Sequence, residues 1–116
     1  MQANQYQNEA QMFAVFPLDN SGWDYILSAL PEELGEFSSI FAKAARKGQG
    51  RALTPEQHKQ AVSELGDLCW GVALAAKLLG VSLDTVLANN LNKLEERKRT
   101  NTIEGSGETV EERQGK

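Results

Sequence analysis

The sequence predicts an all-α domain built from long antiparallel helices. Apolar residues recur three and four positions apart over residues 23–47 and 54–79, which is the spacing of one face of an amphipathic helix. No stretch alternates between apolar and polar residues as a half-buried strand would. A chain of 116 residues forms one small domain, and such long helices carry more apolar surface than one small core covers. We therefore expect a homodimer or homotetramer.

Charge and composition exclude several classes of partner. The net charge is −4, whereas sequence-independent binding to a nucleic-acid polymer needs a basic surface. Cys69 is the one cysteine, so an internal disulfide is excluded, as is typical of a reducing compartment. No apolar run approaches the roughly 18 residues of a membrane span, and residues 1–8 lack the apolar segment of a signal peptide. The expected protein is cytoplasmic and binds no membrane.

A weak helical pattern covers residues 3–14, and a loop follows at residues 17–22. The loop contains proline, asparagine and glycine, which favour turns. The apolar face of this first helix is predicted to contain Tyr6, Ala10, Phe13 and Ala14.

The second helix is predicted to begin near Trp23, with Ser21 as its capping residue, and to stop at Gly48. Pro31 lies inside this pattern and lacks a backbone N–H, so we expect a kink or a short break there. The apolar positions of the helix are Trp23, Ile26, Leu27, Leu30, Leu34, Phe37 and Phe41.

The third helix has the strongest start signal in the chain. Thr54 is a capping residue, Pro55 occupies the first helical position, and Gln57 completes a capping box. The helix should run to Leu79 and stop at Gly80. Its buried stripe is predicted to consist of Ala61, Val62, Leu65, Leu68, Cys69, Val72, Ala76 and Leu79.

The fourth helix is predicted to start after Ser82 as its cap and to extend to about Arg99. Asp84 in its first turn favours this start, because a negative charge complements the helix dipole. The helical domain is thus predicted to occupy residues 1–100. Residues 101–116 are rich in Gly, Glu and Thr and are predicted to form a flexible tail.

Two pairs of carboxylates have the same helical spacing. Glu33 and Glu36 lie in the second helix, Glu64 and Asp67 lie in the third, and residues three apart project from one helix face. Each pair is surrounded by apolar residues, where like charges are unfavourable unless a cation neutralises them. Four carboxylates on two facing helices suit Mg²⁺, with Mn²⁺ as an alternative. For either pair alone, solvated helix carboxylates are the competing interpretation.

Neighbouring residues support a metal site and exclude other centres. Gly35 and Gly66 each precede the second acid of a pair, and glycine inside a helix costs roughly 1 kcal/mol, so we expect a close helix approach or room for a ligand. A di-iron bundle needs Glu-x-x-His on two helices, but the one histidine, His58, has a proline three residues before it. One histidine and one cysteine disfavour zinc. Cys69 is expected to be a buried apolar residue.

Basic and amide side chains are the predicted substrate contacts. Lys43 and Arg46 follow the first acidic pair, and Asn90, Lys93 and Arg97 lie on the fourth helix. Such donors bind phosphate oxygens. For Lys43, Arg46 and Arg97 the alternative is an exposed charge that complements the C-terminal end of a helix.

Taken together, these residues resemble the MazG-like, all-α nucleoside triphosphate pyrophosphohydrolase superfamily. Its mark is an E-x-x-E motif followed some tens of residues later by E-x-x-D, as at residues 33–36 and 64–67. Three other segments resemble segments of the same family, namely ELGDLCW, LGVSL and NLNKLEER at residues 64–70, 79–83 and 90–97. The segment IEGSGE at residues 103–108 resembles the tail of small stand-alone members, including phage ones.

The resemblance implies a Mg²⁺-dependent hydrolase that converts a nucleoside or deoxynucleoside triphosphate to the monophosphate and pyrophosphate. The four acids would hold the metal, and Glu33 or Glu36 would accept the proton of the attacking water. Lys93, with Asn90, would bind phosphate or sugar. The resemblance also implies that two chains share a four-helix-bundle core, with the base pocket near a subunit interface.

Two further expectations concern the tail and the competing class of protein. Residues 105–107 can bring backbone N–H groups near an anion, so we expect the tail to close over the triphosphate, with a solubilising polar end as the alternative. The competing class for the whole chain is a non-catalytic helical oligomeric binding or metal-binding module. Such a module would keep the apolar stripes without needing two buried acidic pairs.

Overall fold

The computed structural model describes residues 1–100 of the chain, and the predicted tail at residues 101–116 lies outside them. Every regular element in the described part is helical, which confirms the all-α prediction. Two short 3-10 turns, Gln11–Phe13 and Asn20–Gly22, accompany the α-helices. The α-helices are α1 (Ala3–Ala10), α2 (Trp23–Arg46), α3 (Pro55–Leu78) and α4 (Leu83–Arg99).

The first helix, α1, is shorter than the sequence pattern predicts. It ends at Ala10, and the 3-10 turn that follows leaves the side chain of Phe13 75% exposed. Ala14 then adopts an extended backbone, which leads the chain away from the helix axis. The predicted apolar face is therefore confirmed at Ala10, which is buried, and at Tyr6, which is half-buried, and is wrong at Phe13.

The start of α2 differs from the prediction. Ser21 does not cap this helix, because Gly22 occupies the N-cap position and the Ser21 hydroxyl donates to the carboxylate of Asp19. The same carboxylate accepts from the Ser21 backbone N–H at 2.8 Å and caps the preceding 3-10 turn. Gly22 comes directly before α2, and a Cβ atom there would lie 2.1 Å from the Pro17 carbonyl oxygen. Of the kink or short break predicted at Pro31, the break is wrong, since α2 is continuous through this residue.

Both ends of α3 follow the local sequence signals. The Thr54 hydroxyl accepts from the Gln57 backbone N–H, and the Gln57 side chain accepts from the Thr54 N–H, so the predicted capping box is confirmed. At the other end Gly80 has a φ of 77°, in the left-handed region that favours glycine. The Val81 N–H then donates to the Ala76 carbonyl at 3.0 Å, which closes the helix end.

The core lies mainly between the two long helices, which form an antiparallel hairpin, with α1 packed on α3. Side chains from every α-helix contribute to it. The buried apolar residues are Ala10, Ile26, Ile40, Ala44, Ala61, Ala73, Leu74, Ala76 and Leu83.

Much of the predicted buried stripe of α3 is instead exposed in the single chain. Ala61 and Ala76 are buried as predicted, but the prediction of a buried Cys69 is wrong, because this thiol is exposed. Periodicity identifies an apolar face without identifying what covers it. We call the exposed apolar residues of this helix the open face; they are Val62, Leu65, Cys69, Val72 and Leu79.

No single helix among residues 1–100 is both long enough and apolar enough to cross a membrane. By length and composition, α3 and α4 meet that test when they are taken together as a pair bent by 101°.

Candidate metal centre

Three of the four predicted acids converge between the two long helices. Glu33 comes from α2, and Glu64 and Asp67 come from α3. One carboxylate oxygen from each lies within 4.8 Å of the others. The pairs are brought together because residues three apart share a helix face and the two faces oppose each other across the hairpin.

A small residue allows the helices to approach at this level. A Cβ atom on Gly71 would lie 2.7 Å from Cδ2 of Leu30, so a larger residue there would force the Leu30 side chain to move. Leu30 lies one turn before Glu33, and Gly71 lies one turn after Asp67. The Leu30 side chain therefore packs directly over Gly71 beside the acidic group.

The carboxylates are poorly compensated by the protein itself. Glu33 Oε2 and Glu64 Oε2 are both buried and have no hydrogen-bond partner among the described residues. Burial raises the pKa of Glu33 to about 7, and the adjacent Glu64 carboxyl and the charges of Glu36 and Asp67 add to the rise. The ion pair found in residues 1–100, Arg99 with Glu96, lies elsewhere, on α4. Two buried anionic oxygens without a partner are unfavourable unless a cation binds them.

The donor set fits a hard divalent cation. All converging atoms are carboxylate oxygens, which suit Mg²⁺ and Mn²⁺ and match neither the thiolate nor the imidazole ligands of structural zinc. The two unpartnered oxygens have free lone pairs for such an ion. The chemistry of this group therefore agrees with the ion predicted from the sequence.

Glu36 and the two glycines behave differently from the other predicted site residues. Glu36 is exposed and does not belong to the converging group, although it lies one turn beyond Glu33 on the same face. A Cβ atom on Gly35 or Gly66 would meet nothing within 4 Å. The interpretation of these glycines as points of close helix approach is therefore wrong, and open space remains at both.

Four of the five predicted substrate contacts are exposed side chains. Lys43 and Arg46 are in the last turn of α2, and both side chains are exposed. On α4, Asn90 and Lys93 are exposed and Arg97 is half-buried. These five residues stay predictions.

The bend between α3 and α4 separates Lys93 from the acids of its own chain. Asp67 lies about 16 Å from the C-terminal end of α3, and Lys93 lies about 15 Å along α4, at about 1.5 Å per residue. The two helices are bent by 101° at their junction. The Cα atoms of Asp67 and Lys93 are therefore on the order of 20 Å apart, which is beyond the reach of a lysine side chain.

An aromatic cluster borders the acidic group. The rings of Phe16 and Tyr25 are stacked with their centroids 4.3 Å apart, and the Trp70 ring meets Phe16 edge-on at 6.1 Å. The Trp70 indole N–H donates to the Ala10 carbonyl at 3.0 Å, which ties α3 to α1. A cavity of about 600 Å³ opens beside Tyr25 and Glu33 and offers space next to the carboxylates.

Some residues that shape this part of the fold were missed from the sequence. Gly71 gave no signal there, because its role depends on which residue of α2 faces it. Gln7 is buried and makes three hydrogen bonds to distant backbone atoms. Its spacing from Ala3 and Ala10 places it on the apolar face of α1, and a polar residue on that face was the available signal.

We predict that the metal-free protein loses stability as pH rises towards neutrality. The pKa of Glu33 is about 7 in the folded state against 4.5 ordinarily, so the folded state binds this proton more tightly than the unfolded chain does. The resulting stabilisation is complete below about pH 4.5 and is lost as pH rises through about 7. Urea unfolding in EDTA at pH 5 and pH 8 should show the loss. The loss of unfolding free energy between the two pH values should be smaller in Glu33→Gln than in the unaltered protein, whereas Glu56→Gln should lose as much as the unaltered protein. An equal loss in the unaltered protein and both variants would contradict the prediction.

Comparison with known proteins agrees with this geometry. A family model described as the MazG nucleotide pyrophosphohydrolase domain matches residues 23–102. The chain is also similar to the Gene 37 protein of Mycobacterium phage L5, with 37% identity over 113 residues that cover 93% of this chain and 98% of that protein. No solved structure matches the chain. The matched range begins at the first residue of α2, contains all four predicted acids and leaves α1 outside.

Proposed function

The chain belongs to the MazG nucleotide pyrophosphohydrolase family, and we propose that it hydrolyses a nucleoside or deoxynucleoside triphosphate to the monophosphate and pyrophosphate with Mg²⁺ as cofactor. Mn²⁺ is the alternative ion, because it accepts the same oxygen ligands. Family membership supports the proposed reaction, and the chemistry of the acidic group supports the proposed ion.

One observation carries the proposal. Glu33 Oε2 and Glu64 Oε2 are buried without a hydrogen-bond partner among residues 1–100, and one carboxylate oxygen each of Glu33, Glu64 and Asp67 lies within 4.8 Å of the others. A purely structural helical hairpin gains nothing from such an arrangement, since buried unpaired charge opposes folding. A site that binds a divalent ion needs such carboxylate oxygens with free lone pairs as ligands.

The protein's own residues have distinct tasks in this proposal. Glu33, Glu64 and Asp67 hold the metal. Glu36 is exposed one turn away and close enough to raise the pKa of Glu33, so it can join the ligand set or accept the proton of the attacking water. When bound, Mg²⁺ supplies neutralisation of the triphosphate and a lower pKa for the attacking water.

The phosphate contacts are proposed to come partly from a second copy of the chain. Lys93 and Asn90 lie on the order of 20 Å from the acids of their own chain because α4 leaves α3 at a bend of 101°. Association through the open face would let α4 of one copy approach the acids of the other. In this arrangement the nucleoside would lie in the cavity beside Tyr25, where an aromatic ring can stack on a base.

A colorimetric test for pyrophosphate decides the function. The purified protein should release pyrophosphate from at least one of the common nucleoside or deoxynucleoside triphosphates when Mg²⁺ is present, and from none in EDTA. Diphosphates should not be substrates, because they cannot yield pyrophosphate. If Mg²⁺ raised the unfolding temperature but no triphosphate gave a product, the chain would be a metal-binding module instead.

A further inference from the structure

The beginning of α4 is held by side chains from the other end of the chain. The first N–H groups of a helix have no partner within it. In α4 the Leu83 N–H donates to Oε1 of Gln7 at 2.9 Å, and the Asp84 N–H donates to Oδ1 of Asn4 at 3.0 Å. Ser82 satisfies the next group, as predicted, by accepting from the Thr85 N–H at 3.1 Å. Two of these three bonds therefore depend on α1.

Gln7 joins three parts of the fold through one side chain. Its amide nitrogen donates to the Ala73 carbonyl in α3 and to the Val81 carbonyl in the α3–α4 turn, each at 3.1 Å, while its oxygen caps α4. The residue is 6% exposed, so water does not compete for these bonds. The opposite amide orientation would set an oxygen against two carbonyls and an NH₂ group against an N–H, and the observed partners thus define the orientation.

Little else fixes the direction of α4. Leu83 is its buried residue, and beyond the first turn the side chains of the helix are half-buried or exposed. The turn before it contains Gly80, whose backbone has the freedom that glycine allows. By contrast, α1 is firmly placed, because the Trp70 indole N–H bonds the carbonyl of its last residue, Ala10. Thus α1 is a fixed support and α4 is the element that it orients.

We propose that Asn4 and Gln7 form a latch that sets the angle between α3 and α4, and so act as positioning residues for the substrate contacts on α4. This rests on the proposed function in one respect, namely that Asn90 and Lys93 bind the triphosphate. The latch lies before residue 23, outside the range that the family model matches. It requires no contact between α1 and the substrate, because its effect passes through the orientation of the helix.

The test compares two matched substitutions on α1. Gln7→Met removes all three hydrogen bonds at nearly constant volume, and Gln5→Met makes the same change at an exposed position of the same helix. Amide hydrogen exchange is measured at Leu83 and Asp84, and KM and kcat are measured well below the unfolding temperature of each protein. In Gln7→Met we expect faster exchange and a KM higher by about tenfold, with kcat changed much less. A misplaced α4 would lose about one hydrogen bond to the charged triphosphate, and such a bond is worth about this factor. Gln5→Met should match the unaltered protein.

A milder pair keeps the test decisive if Gln7→Met folds poorly. Asn4→Ala removes one exposed bond and should raise KM, whereas Asn4→Asp keeps an acceptor for the Asp84 N–H and should restore it. Faster exchange with an unchanged KM would show a purely structural cap and overturn the proposal. Unchanged exchange with normal turnover would refute the latch alone, whereas absence of turnover in the unaltered protein would refute the proposed function.

Discussion

Asp67→Asn and Glu64→Gln should each lower the rate of pyrophosphate release by roughly 100-fold or more, because each removes a charged ligand from the group that neutralises the triphosphate through its metal. Both changes keep side-chain volume. They also remove one like charge from the cluster, so the metal-free proteins should be at least as stable as the unaltered chain.

The measurements are steady-state rates with Mg²⁺ and thermal unfolding in EDTA. Glu56→Gln is the control for rate, since Glu56 is an exposed acid on the same helix, outside the acidic group. Glu36→Gln tests the residue whose role is least defined by the geometry, and a loss of turnover is expected there as well. Near-normal rates in Glu36→Gln and Asp67→Asn together would reject the four-carboxylate site.

Light scattering should give a mass of two or four times the 12.7 kDa of one chain. The open face of α3 leaves apolar side chains in water, among them Val62 at 55% exposed, and monomeric soluble proteins rarely expose contiguous apolar surface of this kind. Val62→Glu places a charge in this face and should produce monomers. Turnover should fall with it, because α4 of each copy would no longer approach the acids of the other.

Gln60→Glu is the matched control for assembly. It introduces the same charge at an exposed polar position two residues earlier in α3, where it should leave mass and turnover unchanged. A monomeric mass for the unaltered protein at micromolar concentration would reject the dimer. Full activity in monomeric Val62→Glu would reject the idea that one copy completes the site of another.

The parts of the fold that the sequence predicted correctly are those determined by neighbouring residues. The capping box at Thr54 and Gln57 and the cap at Ser82 are confirmed because each involves only residues within one helical turn. The acids could be predicted for a similar reason: spacing alone places Glu64 and Asp67 on one face. That the two pairs face each other was an expectation from the sequence, and the structure brings Glu33 to Glu64 and Asp67 while Glu36 stays outside the group.

The errors have both local and long-range causes. Ser21 is a good capping residue by composition, but Gly22 occupies the N-cap position of α2 and the Ser21 hydroxyl donates to the Asp19 carboxylate. Pro31 removes one backbone hydrogen bond, yet α2 is continuous through it and the predicted break is wrong. The hydrogen bonds of Gln7 join it to residues 66 to 76 positions away in the sequence, and no local pattern indicates such partners.

The exposed thiol of Cys69 has a practical consequence. It is the one cysteine in the chain, and it lies within the apolar surface through which copies of the protein are proposed to associate. A fluorescent maleimide would therefore attach at a single known point without any engineered substitution. Since a thiol reacts only while reagent can reach it, the labelling rate would report how often this surface is free of the other copy.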